Sequence, residues 1–384
     1  MAIADYLAQL ASLRDSLKAT LLSKGVAVAE NATLSDLVPM VEDISGSGAS
    51  ATAFEKALYR FGVLSDIHLR VTGYGEDTDK HHSITDYERA LEFYKNNGAD
   101  FICIDGDIVA NNRNQNVNEQ ASVDEWVAEV TKFAELSRTV SIPVYATTGN
   151  HDANIWGYSS GNEALGLNAL VTTTDGKYNG TKTAEEVWTE IVGSGVRFVM
   201  EQGDDVFIFL PMYYWNYVNP YRDNAGGEEE WIIEQLDTYK NKRVFMFFHL
   251  PLKGTYDDDA DGMSATQATG RVATLRPLLL RYPNVIWFTG HSHYNLWREG
   301  GIKNDGIEYV NPNIYQSGES MTMVHVPSGA YIRPTSDYSS EEGTGSQGLL
   351  VDVFEDRVVV KGIDFTEGVG GAFIPKVTYV INAK

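Results

Sequence analysis

The sequence of 384 residues predicts an α/β fold with two packed layers of β-structure, preceded by a small N-terminal α-helical module. Between residues 55 and 293, apolar runs rich in Val, Ile and Phe alternate with stretches of helical spacing. These runs lack the alternation of a strand with one solvated face, so both faces are expected to be covered. After residue 305, strand and hairpin signals replace the helices, which indicates a second, β-rich layer.

Residues 1–46 form the predicted N-terminal module, residues 47–54 a linker and residues 55–384 the main domain. Four leucines recur at helical spacing and give a first helix one apolar stripe: Leu7, Leu10, Leu17 and Leu21. The segment "TLSDLVPMVEDI" predicts a second short helix that is capped by Thr33, and "SGSGASA" is typical of a flexible linker. Two short helices bury little surface. The module is therefore expected either to pack on copies of itself or on a partner, or to fold back on the main domain.

In the main domain, the buried strands are predicted at "RFGVLS", "DFICID", "IPVYATT", "RVFMFF" and "NVIWFT". Between them, "TDYERALEFYKNNG" predicts a helix that is capped by Thr85 with Glu88 and ends near Gly98. "SVDEWVAEVTKFAEL" and "EEEWIIEQLDTYK" predict two further helices. The later strands include "SMTMVHVP" and "GLLVDVFEDRVVVKGIDF", where Glu355 and Asp356 are the predicted hairpin turn.

The formal net charge of -23 excludes an extended nucleic-acid or anionic-membrane surface, so phosphate chemistry would need its own local positive charge. The single cysteine, Cys103, excludes an internal disulfide and a thiolate metal cluster, and it is expected to be a buried, inert thiol. No apolar stretch is long enough to span a membrane, and the N-terminus lacks the pattern of a signal peptide. These features predict a cytoplasmic protein, or one that leaves the cell by a route the sequence does not show.

Each of the five apolar runs ends, at its carboxyl end, in side chains that bind metal ions. In chain order these side chains are Asp66 and His68, Asp107, Asn150 with His151 and Asp152, His249, and His291 with His293. In open α/β sheets, ligands bind just outside the carboxyl ends of the strands. Five distant runs therefore predict one shared site.

Carboxylate, imidazole and amide ligands without thiolate predict two divalent or trivalent ions such as Mn, Fe or Zn. One carboxylate can bridge two ions ~3.5–4 Å apart, the spacing of hydrolytic two-metal sites. Two ions of about +2, two carboxylates and one hydroxide leave roughly +1, which attracts a phosphate ester even in an acidic protein. The alternative is that these residues merely cap strand-to-helix turns. It explains Gly149 and Asp152 but not three histidines at the ends of two distant runs.

The order D-x-H, G-D, G-N-H-D, H, G-H-x-H along residues 62–293 resembles that of the calcineurin-like metallophosphoesterase family. The resemblance implies a four-layer sandwich of two packed mixed β-sheets flanked by helices, with the late strands in the second sheet. It implies hydrolysis of phosphomonoesters or phosphodiesters by a metal-bridging hydroxide. The implied ligands are Asp66, His68 and His293 for one ion, Asn150, His249 and His291 for the other, and Asp107 as the bridge.

The resemblance also implies that His151 donates a proton to the leaving oxygen or holds the phosphate, and that Asp152 orients its imidazole. The same roles suit general acid–base chemistry, in which an imidazole needs an orienting partner. One departure concerns the segment after Gly-Asp. Relatives often carry a further acidic residue there, whereas this chain has Asn111 and Asn112. The substrate class is therefore left open.

The segment "MYYWNYVNPYR" is unusually aromatic and follows a predicted strand. Loop packing is one interpretation. The other is that one of its rings stacks on an organic leaving group such as a nucleobase, which would make the phosphate-ester substrate nucleotide-like. The candidate rings are Tyr213, Tyr214, Trp215 and Tyr217.

The first 46 residues are similar to short helical modules of bacteriophage tail and appendage proteins. This implies an alternative function, a structural or attachment protein that carries a phosphoesterase domain as an accessory activity. It would be virion-associated and would form homo-oligomers or bind a structural partner through residues 1–46.

Three further features have both a structural and a functional interpretation. His81 and His82 are expected to be solvated loop residues, and the alternative is an accessory role in the site. His325 is expected to be a satisfied sheet histidine or a support for the metal ligands. The run from Asp257 to Asp261 has calcium-loop spacing but lacks the final bidentate Glu, so a solvated acidic loop is favoured.

Overall fold

The structure, a computed structural model, describes a defined part of the chain. The described residues are 14, 18, 56–71, 82–110, 120–153, 166–212, 228–251, 281–294, 296, 303–304, 307–308, 314–316, 322–330, 332, 345–366 and 368–382. The chain divides into two compact units, Met1–Ala57 and Leu58–Lys384. Several predicted features lie outside the described residues, namely nearly all of the module and linker, His81, Asn111 and Asn112, the aromatic segment and the acidic run from Asp257 to Asp261.

All elements below belong to the second unit. The described strands are β1 Tyr59–Leu64, β2 Phe101–Asp105, β3 Val144–Thr147, β4 Leu170–Thr172, β5 Asn179–Thr183, β6 Phe198–Gln202, β7 Asp205–Phe209, β8 Val244–Phe247, β9 Val285–Thr289, β10 Lys303–Asn304, β11 Ile307–Glu308, β12 Ile314–Gln316, β13 Thr322–His325, β14 Gln347–Val353, β15 Arg357–Asp364 and β16 Ala372–Asn382. The described α-helices are α1 Ser83–Asn96, α2 Gln120–Ser137, α3 Ala184–Val192 and α4 Glu228–Thr238.

The first six-stranded sheet has the strand order β16-β15-β14-β1-β2-β3. The strands β1, β2 and β3 run parallel, whereas β14, β15 and β16 add antiparallel neighbours beside β1. The expectation that the late strands build the second sheet is therefore wrong for β14–β16. Their apolar pattern indicates strands but cannot tell which open edge they join, and an antiparallel hairpin can extend either sheet. The hairpin turn at Glu355 and Asp356 is confirmed, since β14 and β15 pair on either side of it.

The second six-stranded sheet has the strand order β12-β13-β9-β8-β7-β6. Its four central strands run parallel, and β6 and β12 are antiparallel at the two edges. Both sheets are therefore mixed. The late strands β12 and β13 do lie in this sheet, as expected.

The two sheets pack face to face over an aromatic core. Phe61 of the first sheet stacks on Phe101 at a centroid distance of 5.4 Å. It also meets Phe207 and Phe245 of the second sheet edge-on, each at 5.2 Å. Full burial of one such side chain contributes ~1.5–3 kcal/mol, so this layer is a large part of what holds the sheets together.

Helices cover the outer faces of both sheets. Side chains such as Tyr87 of α1, Trp126 of α2 and Trp188 of α3 pack in one cluster with the first sheet. Ile232 and Leu236 of α4 pack against the second sheet. The result is the predicted four-layer arrangement of helices, sheet, sheet and helices. None of the described helices is long and apolar enough to cross a lipid bilayer.

Helix α1 begins before its predicted cap. His82, an exposed residue with φ 49°, occupies the N-cap position, and Ser83 is the first helical residue. Thr85 is therefore already inside the first turn, and its prediction as the cap is wrong. The predicted stop near Gly98 is confirmed, because Asn97 is the C-cap and Gly98 has a left-handed φ of 72°.

A polar tie joins the two sheets at the amino ends of their parallel strands. Arg243 forms a bidentate pair with Asp205, at 3.0 Å and 2.7 Å, and Tyr59 of the first sheet donates to the same carboxylate. The guanidinium also donates to the carbonyl of Phe354, 2.9 Å away. These hydrogen bonds therefore connect the two sheets at one edge of the sandwich. The carboxyl ends of the parallel strands lie at the opposite edge, where the site is found.

Candidate metal centre

The parallel strands of both sheets bring the predicted metal-binding side chains to one place. Asp66, Asp107 and Asn150 follow strands of the first sheet, and His249 and His291 follow strands of the second. All seven predicted ligands are buried, with relative exposures from 0% to 7%. Two of them, Asp66 and His293, are more than 200 positions apart in the chain, yet Asp66 Oδ1 lies 3.0 Å from His293 Nε2.

Two sets of potential ligands share one carboxylate. The first set is Asp66, His68, Asp107 and His293, and the second is Asp107, His249 and His291. Within each set, the ligand atoms lie within 4.8 Å of one another. Asp107 is common to both sets, which is the position that a bridging carboxylate requires.

Several polar atoms in this cluster are buried without a hydrogen bond in the described structure. They include Asp66 Oδ1 and His249 Nε2, and also Asn150 Oδ1, in the residue before His151, whose backbone N–H donates to Asp107. In two of these side chains the other polar atom is fixed by the protein, since Asp66 Oδ2 accepts from the His291 N–H at 2.9 Å and His249 Nδ1 donates to Asp105 O at 2.6 Å. Each unsatisfied buried polar atom costs ~1–3 kcal/mol. A cation among them removes that cost, so these residues fit a metal site.

The distances between nitrogen atoms support the same conclusion. His68 Nε2 and His293 Nε2 lie 3.1 Å apart, and Asp66 Oδ1 lies 3.0 Å from His293 Nε2 without forming a hydrogen bond of good geometry. Two imidazole nitrogens bound to one zinc ion, each about 2.0–2.1 Å from it, are separated by about 3–3.4 Å. The side chains are therefore already at the spacing of ligands on one ion.

Charges within the cluster keep both carboxylates ionised. Burial raises the pKa of Asp66 and of Asp107, but neighbouring imidazoles, chiefly His293 and His249, outweigh it and hold both pKa values below the ordinary range. Burial lowers the pKa of His249, yet Asp107 and Asp66 raise it to about 10. Burial, and then the charge of His249, lower the pKa of His291 to about 3. Metal binding requires carboxylates and neutral imidazoles, so a cation would take the place of the proton on His249.

The backbone is left-handed at five of the predicted ligands, a conformation that is uncommon for residues other than glycine. Their φ angles are 52° for Asp66, 40° for His68, 49° for Asp107, 70° for His291 and 57° for His293. Such conformations cost of order 1–3 kcal/mol each and persist only where the surroundings enforce them. The chain therefore holds these side chains in place at a cost to its own stability.

The glycines of the motifs allow the strand ends to approach each other. A Cβ on Gly149 would lie 2.2 Å from Asp107 Oδ1, and a Cβ on Gly290 would lie 1.9 Å from Ser65 Oγ. Both distances are far below van der Waals contact. Any larger residue at Gly149 or Gly290 must therefore displace the ligand-bearing loops.

His151 lies at the rim of the cluster and is only partly buried. Its backbone N–H donates to Asp107 Oδ1 at 2.8 Å, and its ring contacts His68 at a centroid distance of 4.6 Å. Its Nδ1 pairs with the carbonyl of Ala110 at 2.9 Å. A carbonyl oxygen can only accept, so Nδ1 carries the hydrogen and Nε2, 3.9 Å from Asp107 Oδ2, faces the cluster.

The predicted role of Asp152 in orienting the His151 ring is corrected, because Ala110 O orients that ring. Both carboxylate oxygens of Asp152 accept from backbone N–H groups: Oδ1 from Ile108 and Val109, each at 3.0 Å, and Oδ2 from Gly149 at 2.7 Å. Burial, and then the charge of Asp107, raise the pKa of Asp152 to about 7, against the pull of these amides. Asp152 therefore joins the Asp107 loop to the loop of Gly149.

Sequence reasoning missed the residues that support the ligands from behind. Ser65 Oγ donates to Asp105 O at 2.8 Å, and the same carbonyl accepts from His249 Nδ1. Ser328 Oγ donates to Asp66 O at 2.9 Å, across 262 positions of the chain. No local pattern could have identified these partners, because each bond joins segments that meet only in the fold.

Comparison with known proteins agrees with this geometry. Residues 59–295 match the calcineurin-like phosphoesterase family. The fold is similar to that of a dimetal phosphatase from Danio rerio, with 13% identity, a TM-score of 0.51 and coverage of 86% of this chain and 100% of that one. It is also similar to purple acid phosphatase PPD1 from yellow lupin (Lupinus luteus), with 12% identity, a TM-score of 0.53 and coverage of 85% of this chain and 54% of that one.

At such low identity these two structures show a shared fold, and the comparison with curated protein sequences gave no match. The family match spans more than half of the chain and includes the five strand ends that carry the cluster. This chain belongs to the calcineurin-like phosphoesterase family.

Proposed function

We propose that this protein is a binuclear metal-dependent hydrolase of phosphate esters, either phosphomonoesters or phosphodiesters. The observation that carries the proposal is the pair of buried ligand sets that share Asp107. The family supports a phosphoesterase, and one of the similar structures is described as a dimetal phosphatase.

Each ion would have three ligands of its own in addition to Asp107. Asp66, His68 and His293 would hold one ion, and Asn150, His249 and His291 the other. When bound, two such ions polarise the phosphoryl oxygens and lower the pKa of water, so that hydroxide is available near neutral pH. Mn, Fe and Zn each suit this ligand set, because all three accept carboxylate and imidazole ligands.

The protein's own contribution to the reaction centres on His151. Its Nδ1–H is committed to Ala110 O, so only Nε2 can reach a substrate. In the imidazolium form Nε2 donates a hydrogen bond to a phosphate oxygen or a proton to the leaving group. The hydrogen bond from its backbone N–H to Asp107 keeps this ring beside the shared carboxylate.

Metal loading followed by turnover tests the proposal. Protein loaded with Mn, Zn or Fe should hydrolyse a chromogenic phosphomonoester or phosphodiester, and the metal-stripped protein should not. Asp107→Ala should lose both ions and turnover, whereas His151→Ala should retain the ions and lose ~10²–10⁴-fold in rate. Asp356→Ala, at an exposed carboxylate of the β14–β15 hairpin, is the matched control and should behave as the unmodified protein. Full activity without metal would contradict the proposal.

For residues 1–46 we propose a separate role in oligomerisation or in attachment to a structural partner, which the leucine spacing supports. The family match begins at residue 59 and does not include them. Sedimentation of the full chain beside a version that begins at residue 50 tests this role. Identical monomers would argue against it, and both versions should hydrolyse the same esters.

A further inference from the structure

His325 is a buried histidine that the proposed chemistry does not use. It is 1% exposed and ends β13, directly beside the strand that carries two of the candidate ligands. In the parallel register His325 lies opposite Thr289, the last residue of β9, and the N–H of Val326 donates to Thr289 O at 2.8 Å. The imidazole thus lies where the chain turns into Gly290–Tyr294.

Both ring nitrogens of His325 contact this ligand-bearing segment. Nε2 lies 2.9 Å from the carbonyl oxygen of Tyr294, which can only accept, so Nε2 carries the hydrogen. Nδ1 lies 3.4 Å from Ser292 Oγ and, in the neutral ring, can accept from that hydroxyl. The two contacted residues alternate with His291 and His293. The segment therefore presents His291 and His293 to the metal cluster, and Ser292 and Tyr294 to His325.

The segment requires such a support because its backbone is strained. Ser292 N–H donates to Gly290 O at 2.8 Å, which closes a three-residue turn around His291. A φ of 70° at the centre of such a turn belongs to the rare, strained form of the γ-turn. His293, two residues later, is left-handed as well, with φ 57°. An unsupported segment would relax toward the ordinary regions of backbone space.

The two halves of the segment are held in different ways. His291 is fixed directly, since its N–H donates to Asp66 Oδ2 at 2.9 Å and the N–H of Gly290 donates to His249 O at 3.0 Å. The following half, which carries His293, is gripped through Tyr294 O by His325.

We infer that His325 is a positioning residue that sets the place of His293 relative to His291, and therefore the spacing of the two metal half-sites. This inference rests on the proposed binuclear site. His325 acts through Tyr294 O and Ser292 Oγ and is not itself one of the candidate ligands. Its loss weakens the half-site of Asp66, His68 and His293 more than the other, because His291 keeps its own hydrogen bond to Asp66.

The test compares three variants of His325 and uses Mn²⁺ as the only added metal. Calorimetry measures the affinity for each ion, and electron paramagnetic resonance shows whether the two bound ions are coupled. His325→Leu removes both contacts. His325→Gln keeps an amide N–H near the position of Nε2, and His325→Asn keeps a polar group only near Nδ1. Val324→Ala, at a buried neighbour on β13 whose side chain packs between the sheets, is the control for lost stability alone.

We expect the unmodified protein to bind two Mn²⁺ ions with an exchange-coupled spectrum. His325→Leu and His325→Asn should lose about 10–100-fold in affinity for one ion, the range typical of changes to the groups around the ligands of a metal site. Both variants should also lose the coupling. His325→Gln should restore both properties, and Val324→Ala should lower the melting temperature with the coupling intact.

Unchanged affinity and coupling in His325→Leu overturn the inference and leave the proposed function standing. If that variant does not fold, His325→Asn decides by the same measure, and equal behaviour of the Asn and Gln variants also overturns it. An unmodified protein that binds no Mn²⁺ and hydrolyses no ester overturns the proposed function together with the inference.

Discussion

Replacing Gly149 by alanine should displace the shared carboxylate with the change of a single methyl group. The added Cβ would lie 2.2 Å from Asp107 Oδ1 and 2.5 Å from Asp107 N. One of these neighbours is backbone, so no rotamer change can relieve the clash. Ordinary contact requires a retreat of about 1 Å, and a misplacement of that size can lower catalysis ~10²-fold. Overpacking of this kind also destabilises a fold by ~1–3 kcal/mol.

The assay pairs Gly149→Ala with Gly195→Ala. A Cβ on Gly195 would meet only Arg197 O at 3.7 Å, an ordinary contact. Urea unfolding measures the free energy of unfolding, metal analysis counts the bound ions, and kcat/KM on a chromogenic ester measures catalysis. Gly149→Ala should lose stability, metal and about 100-fold in kcat/KM, whereas Gly195→Ala should lose none of them. Two bound ions and unimpaired kcat/KM in Gly149→Ala would refute the reasoning.

Two further substitutions test the polar supports of the fold. Asp152→Ala leaves three buried backbone N–H groups without an acceptor. Urea unfolding should show a free energy of unfolding that is lower by more than about 3 kcal/mol. A loss below about 1 kcal/mol would show that the carboxylate does not join the two loops. Asp205→Ala leaves the partly buried Arg243, whose side chain is 11% exposed, without its carboxylate at the other edge of the sandwich. It should reduce the free energy of unfolding by about 3 kcal/mol, the lower end of the loss for a buried pair. Metal content in the surviving folded fraction of Asp205→Ala should be unchanged, and loss of metal would show that the two edges are coupled.

The sequence could predict the cluster because each candidate ligand directly follows its own strand in the chain. In a parallel sheet every strand delivers its last residues to the same edge, so Asp66, Asp107 and His249 could be grouped without knowledge of the strand order. The histidines were informative because capping a strand-to-helix turn does not explain imidazole side chains at the ends of apolar runs.

The remaining features depended on contacts between distant segments. Asp152 is next to His151 in the chain, which led to the expectation that it orients the His151 ring. Its carboxylate instead accepts hydrogen bonds from backbone N–H groups 43 and 44 positions earlier. The hairpin of β14 and β15 was visible as a pattern, but the sheet that it joins is set by which edge is open. For His325 the sequence left a satisfied sheet histidine and a support for the metal ligands as alternatives, since its partners, Ser292 and Tyr294, lie more than 30 positions away.

The two sheets contribute different types of ligand to the shared cluster. The carboxylates and Asn150 come from the first sheet, and three of the histidines come from the second. Under the proposed assignment each ion would therefore bind ligands from both sheets and link them. Unfolding would then require its release, so resistance to heat or proteases should follow the free metal concentration, by about 2.7 kcal/mol at a hundredfold excess over the dissociation constant. A cell that withholds the metal would thereby shorten the lifetime of the protein as well as silence it.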